Sequence, residues 1–312
     1  MKTLSELRNY YNTTLLPELR VLEAQRKKAL NKILIAALVI IPLAIILAFI
    51  MNDVVFPGIV AFGFLVGITA FVSKKYVSNF KTEIIGKIVT SVEKNLIYSK
   101  RNRVAKTLFM ASQIFKHRID VYKGDDHVRG KLGKTNSEFS EIHAQYVTRD
   151  SKGRRNHHTI FKGLFFIADF SKHFKGKTFI LPDKAERFLG GLGAMFQSWN
   201  KTRGQLIKLE DPEFEKYFVV YGSDQIEARY ILSTSLMKRI VDFKKKTGKS
   251  IYFSFIATKI FVAIPYRRNL FEPRIFRTIL DFTPIQQYFE DLQLAVGIVD
   301  DLNLNTRIWG KQ

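Results

Sequence analysis

The chain predicts a membrane-anchored α+β protein. An N-terminal transmembrane helical hairpin extends as a cytoplasmic antiparallel helical stalk, and a mixed α+β cytoplasmic domain with antiparallel hairpins follows. Three observations predict this. Two apolar runs, 33–51 and 54–72, stand back to back with only Asn52 and Asp53 between them. Apolar residues at helical spacing of three and four continue beyond both runs. After Gly124 the spacing changes to alternation and short apolar segments, without a regular βαβ order.

Each apolar run holds 19 residues and no charge. At about 1.5 Å per residue it spans roughly 28 Å, close to a hydrocarbon core of about 30 Å. Arg20, Arg26, Lys27, Lys28 and Lys32 precede the first run, and Lys74, Lys75, Lys81 and Lys87 follow the second. The connecting Asn52-Asp53 carries no cation. Positive charge stays inside, so both ends are expected in the cytoplasm, with only the turn on the far side. A signal peptide fits poorly: no small-residue cleavage site follows the first run, and a second span comes at once.

Residues 1–32 read as a cytoplasmic amphipathic helix. Pro17 suits a first turn, and Leu19, Leu22, Ala29 and Leu30 recur at helical spacing. Residues 73–118 read as the returning stalk, with Val77, Phe80, Ile84, Ile85, Ile88, Val92 and Leu96 in series. Counting from the turn places Leu22 near Glu83 and Ile84, and Leu19 near Ile85 and Gly86. Val104, Leu108, Ala111 and Phe115 continue a helical face.

Residues 119–312 read as a basic α+β domain. Ile142, Ala144 and Tyr146 alternate with polar neighbours, residues 150–153 are turn chemistry, and 158–170 is rich in aromatic and β-branched residues, so a hairpin is expected. Short strands are expected at 178–181, 206–209 and 217–221. Ser233 or Thr234 caps a helix carrying Leu236, Ile240, Val241 and Phe243, with Gly248 past its end. A second hairpin pairs 251–256 with 260–264. Thr283 and Pro284 open a last helix with Phe289, Leu292, Val296 and Val299 inward.

Fifty Lys and Arg against 28 Asp and Glu give a net charge of +22. Residues 1–32 carry seven cations and three acids, and Asp53 carries −1, which leaves +19 on residues 74–312. Such a domain beneath an anionic leaflet is drawn to headgroups by about 1 kcal/mol per Lys or Arg near the surface. No helix-turn-helix, zinc-finger spacing or aromatic ribonucleoprotein motif is present, which weighs against nucleic acid. Cysteine is absent, which excludes disulfides and thiol chemistry.

The motifs supply no catalytic constellation. Gly190-Gly191-Leu192-Gly193 lacks the third glycine of a dinucleotide fingerprint, since Phe196 stands there, and no Gly-Lys-Ser/Thr follows. His157 and His158 are adjacent, which in a strand sends them to opposite faces, and beside Arg154 and Arg155 they read as a solvated turn. Asp125, Asp126, His127 and Arg229 are the candidate polar site. The first three have metal-like composition without a second ligand cluster at a readable spacing, so neither metal nor cofactor is expected. Arg229 could hold an anion or form an ion pair with Glu227 or Asp224. Gly63 and Gly67 match the small-xxx-small motif of membrane-helix packing, with the first span or another membrane helix as partner.

Stretches 160–170, 211–218, 225–232 and 302–309, with two membrane helices ahead of an α+β domain, resemble a bacterial membrane family. It is the domain of unknown function thirty-one thirty-seven. The resemblance implies a bacterial inner membrane and, from gene order, association with LemA-type coiled-coil membrane proteins. It transfers no activity, substrate or catalytic residue. The expected function is a non-enzymatic, membrane-anchored adaptor or scaffold that presents its basic domain to a protein partner or anionic headgroups. The alternative is a membrane-bound enzyme acting on a lipid or phosphorylated substrate. Oligomeric state is left open.

Overall fold

The computed structural model describes residues 3–170, 173–183 and 204–305. They form two compact units, Met1–Val92 with Phe271–Glu290, and Glu93–Leu270 with Asp291–Gln312.

In the first unit, Thr3 and Glu6 form a capping box that opens α1 (Leu4–Tyr10). A π-helical turn, Tyr11–Leu15, joins it to α2 (Leu16–Met51), whose first turn takes Pro17. Asn52 ends α2 in the left-handed conformation, at φ 52°. The Asp53 carboxylate then accepts the Val55 N–H at 2.8 Å as α3 (Val55–Phe80) begins. A second π turn, Lys81–Ile85, leads into α4 (Gly86–Val92). The two resulting helices are long and apolar enough to cross a membrane. Within them Leu38, Phe49, Phe62 and Phe71 are between 71% and 84% exposed.

Both π turns have a cause in the sequence. Leu7, Tyr11, Leu15 and Leu19 are all buried, as are Tyr76, Phe80, Ile84 and Ile88. A step of four over-rotates a 3.6-residue helix by about 40°, so three such steps would carry the seam off its face. One wider turn in each series takes up the excess. The helices run antiparallel, with Lys87 paired to Glu18 and Asn79 donating to Gln25 at 2.9 Å. Both pairs fall within one residue of the register counted from the turn.

Three buried polar side chains hold the 271–290 segment against these helices. Arg26 pairs with Glu23 at 2.7 Å and donates to the Ile275 carbonyl at 2.7 Å. Glu23 also accepts the Ile279 N–H, and Lys81 pairs with Glu272 at 2.7 Å. Arg26 and Lys81, read from sequence as cations flanking the spans, are thus buried structural partners.

The helical run does not reach residue 118. It stops at Val92, and the Glu93 carboxylate accepts the Asn95 N–H at 3.1 Å in a turn. Leu96 then opens a strand, and helix returns only as α5 (Lys106–Ala111).

The second unit is built on one nine-stranded antiparallel sheet of order β1-β2-β3-β4-β9-β8-β5-β7-β6. The strands are β1 (Leu96–Ser99), β2 (Val121–Leu132), β3 (Thr135–Arg149), β4 (Arg155–Asp169), β5 (Lys177–Pro182), β6 (Gln205–Ile207), β7 (Phe218–Gly222), β8 (Tyr252–Ile256) and β9 (Lys259–Pro265). Between them lie α6 (Pro212–Glu215), α7 (Gln225–Ile231) and α8 (Thr234–Thr247), and α9 (Phe282–Asp301), whose residues up to Glu290 belong to the first unit, follows. Both expected hairpins form, as β3–β4 and β8–β9. Ser233 caps α8 through the Leu236 N–H, and Gly248 ends it at φ 64°. In α9, Phe289, Leu292 and Val299 are buried as expected, with Ala295 and Ile298 rather than Val296 completing the seam. Strand β2 was not expected, and it contains Asp125, Asp126 and His127.

The segment around α5 covers one face of the sheet. Phe109, Phe115, Phe161, Phe165 and Phe261 form its aromatic core, with Phe109 and Phe165 centroids 4.8 Å apart. Two serines tie the segment down: Ser140 accepts the Val104 N–H at 2.9 Å, and Ser254 donates to the Ser112 carbonyl at 2.7 Å.

Candidate functional site

The four candidate polar residues do not converge. The β2–β3 register shifts between Asp125 and Val128, and Asp126 takes a left-handed φ of 55° in that bulge. Asp125 faces Glu141 across the ladder, and one carboxylate oxygen from each of Asp125, Asp126 and Glu141 lies within 4.8 Å of the others. Asp126 is 1% exposed and accepts a hydrogen bond from the Tyr98 hydroxyl. Glu141 accepts the Leu270 N–H at 2.6 Å. An all-oxygen set of this kind suits a hard cation, yet two of its carboxylates already secure a bulge and a chain crossing.

His127 leaves this cluster. It is the register partner of Ser99 on β1, within the same bulge, and its Nε2 lies 2.9 Å from Glu138. Glu138 borders an open groove of about 660 Å³ shared by Arg129, Lys131, Asp169 and Lys259. Asp169 and Lys259 pair across it at 2.8 Å. Its charges are of both signs.

Arg229 lies at the far end of the sheet. It is in the last turn of α7 and donates to the Lys208 carbonyl, just past β6, at 3.3 Å. The ion pair expected with Glu227 or Asp224 is not made. Asp224 caps α7 through the Ile226 and Glu227 N–H groups, and Glu227 accepts the Lys175 and Gly176 N–H groups at 3.0 and 2.6 Å.

Gly63 and Gly67 do not serve contact with the first span. A Cβ built on either meets nothing within 4 Å, and the open groove they line is made by α3 alone, with Val60, Phe64, Ile68 and Phe71. The glycine cluster at 190–193 lies outside the described residues, as does Trp309.

A cationic groove at the tip half of the β3–β4 hairpin was missed. Strand β2 ends its pairing at Val121 opposite Gln145, which leaves one edge of β3 open beyond that point. The chain at 117–121 runs along it: the Asp120 N–H donates to the Gln145 carbonyl at 3.0 Å, and the Asp120 carboxylate accepts the Val147 N–H at 2.9 Å. Between them lies an open groove of about 480 Å³ lined by His117, Arg118, Asp120, Arg149, Arg155 and His157 among others. The His117 ring stacks on Tyr146, which stacks in turn on His158. Burial holds the His117 imidazole below the ordinary histidine value. His157 and His158 therefore belong to β4 and not to a turn. The Arg154-Arg155-Asn156-His157-His158 run was the available signal. Its meaning needed the hairpin register, which sets Arg155 opposite Arg149.

Residues 159–304 match the family described as Protein of unknown function (DUF3137). The match runs from within β4 to just past α9. No curated protein matches the chain. Among solved structures, the crystal structure of the mycobacterial trehalose monomycolate transport factor A, TtfA, aligns over 67% of this chain and 95% of that one. Identity is 10% and the TM-score 0.32, a likeness that carries no argument about this chain.

Proposed function

We propose that this DUF3137 protein is a non-enzymatic adaptor of the bacterial inner membrane, with both termini cytoplasmic, that presents a basic domain to anionic lipid headgroups. The observation that carries the reading is the pair of adjacent apolar helices, whose large side chains stand exposed along their length. Monomers in water rarely expose contiguous apolar patches larger than a few hundred Å², and larger ones mark surfaces that a membrane or a partner covers. The rest of the chain after the spans carries +19 by sequence, and its cationic groove has one acid against three arginines. A membrane-protein partner, of the LemA type that the family resemblance implies, fits the same scaffold. The enzyme reading draws no support from the geometry, because Asp125 and Asp126, His127 and Arg229 point to three separate surroundings.

The test uses the full-length protein in phosphatidylcholine nanodiscs, mixed with vesicles of phosphatidylcholine alone or with one-third phosphatidylglycerol. Capture is expected on the anionic vesicles only. It should weaken as salt rises from 0.1 M to 1 M, where the Debye length falls from about 10 Å to about 3 Å. Equal capture by both vesicles overturns the headgroup reading.

A further inference from the structure

Arg149 and Arg155 are direct register partners on neighbouring strands. Like charges set opposite each other on a sheet are destabilising, and both residues are exposed. Neither has a carboxylate partner among the described residues. Asp150, adjacent in sequence, is committed to Arg154: it accepts from Arg154 Nε at 2.9 Å and from the Lys152 and Arg154 N–H groups at 2.9 and 2.8 Å. Asp120, the one acid lining the groove, is committed to the Val147 N–H and to Arg118 Nε, at 2.9 and 2.7 Å. Two uncompensated guanidinium groups thus border a groove that also receives His157 and Arg118.

We propose that this groove binds a phosphate ester, with Arg149 and Arg155 as its principal ligands and His157 as a further donor. The proposal rests on the headgroup reading above and gives it a place. A guanidinium presents a planar fork of N–H donors that meets two phosphate oxygens at once, and two forks across one ladder rung can share one anion. The anion removes the repulsion between the arginines. The groove's volume of about 480 Å³ admits an esterified phosphate, and Val121, Tyr146 and Val147 supply apolar wall for its substituent. A lipid headgroup and a soluble phosphorylated solute share this chemistry.

The experiment compares four full-length proteins in phosphatidylcholine nanodiscs. They are the wild type, Arg149→Gln with Arg155→Gln, Arg149→Lys with Arg155→Lys, and a control, Lys216→Gln with Lys238→Gln, which removes the same charge from exposed positions elsewhere. Each is titrated with phosphatidylglycerol vesicles and, separately, with inorganic pyrophosphate by calorimetry. The glutamine pair should lose at least tenfold in affinity and the control less than twofold. The lysine pair, which keeps charge but not the fork, should fall between them. Competition of pyrophosphate with vesicles identifies a site open to free phosphates, and its failure to compete identifies a headgroup site; either supports the proposal. Equal losses in the glutamine pair and the control, or none in the glutamine pair, overturn it. If wild type ignores anionic vesicles yet binds pyrophosphate through Arg149 and Arg155, the headgroup reading falls and the site stands. If wild type binds neither probe, the site falls.

Discussion

At the residue scale, two histidines are expected to make the sheet unit sensitive to mild acid. Burial holds His117 below the ordinary histidine value, and burial followed by the charges of Lys162 and Lys123 does the same for His143. An unfolded chain takes up these protons near pH 6.5, whereas the folded protein resists them to lower pH. Stability contributed by the neutral rings is therefore complete above about pH 6.5 and is lost as pH falls through that value toward the lower folded one. The melting midpoint of the full-length protein in detergent is expected to drop between pH 7.5 and pH 5.5. The variant His117→Gln with His143→Gln should flatten that drop, and an unchanged slope in the variant would sink the assignment. None of this was legible beforehand. His117 gains its environment only when the 117–121 segment lies against β3, and His143 only when β2 and β4 flank it. Arg26 shows the same gap: its position before an apolar run says headgroup cation, and its contact with Glu23 and the Ile275 carbonyl says structural tie.

At the element scale, what could be read was what repeats locally. Both hairpins, helix α8 with its serine cap and glycine stop, and α9 follow from alternation, capping and helical spacing within a few neighbouring residues. Strand β2 escaped because Gly124, Asp125, Asp126 and Gly130 have poor strand propensity, and its place between β1 and β3 overrides them. The π turns escaped for a different reason. Steps of four among buried residues were visible in both helices, but an ordinary helical reading tolerates them one at a time and misses their accumulation. The antiparallel register survives the wide turn Lys81–Ile85, since Asn79 before it and Lys87 after it meet Gln25 and Glu18 within one residue of the same count, while the wide turn Tyr11–Leu15 lies farther from the connection, beyond Glu18. Cysteines replacing Gln25 and Asn79, whose side chains touch at 2.9 Å, should crosslink within one chain under mild oxidation, in a background that has no other cysteine. A crosslink formed only between chains would mean that the two helices pair with those of a neighbour.

At the scale of the whole molecule, the two long apolar helices were legible because their length and hydropathy are properties of composition, whereas the cationic groove depends on strand pairing that composition does not encode. The cations also sort differently once the fold is known. Arg26 and Lys81 are buried in ion pairs and Lys87 is paired to Glu18, which leaves Arg20, Lys27, Lys28, Lys32, Lys74 and Lys75 as the exposed charge flanking the spans. Six exposed cations still stand on the two outer flanks, and the turn at Asn52 and Asp53 has none. Short, cation-rich flanks near the ends of a span are the ones that resist translocation. The exposed cations therefore still predict the same orientation, with less margin than the sequence count implied. A reporter active only in the cytoplasm, fused ahead of Met1 or after Gln312, should be active at both ends, and one inserted at Asn52 should be silent. Replacing Lys74 and Lys75 by Gln should leave the carboxyl-terminal reporter active, because the four exposed cations before the first span still hold the hairpin. A silent carboxyl-terminal fusion in the wild type would mean that the apolar runs do not both cross, and the hairpin anchor would have to be abandoned.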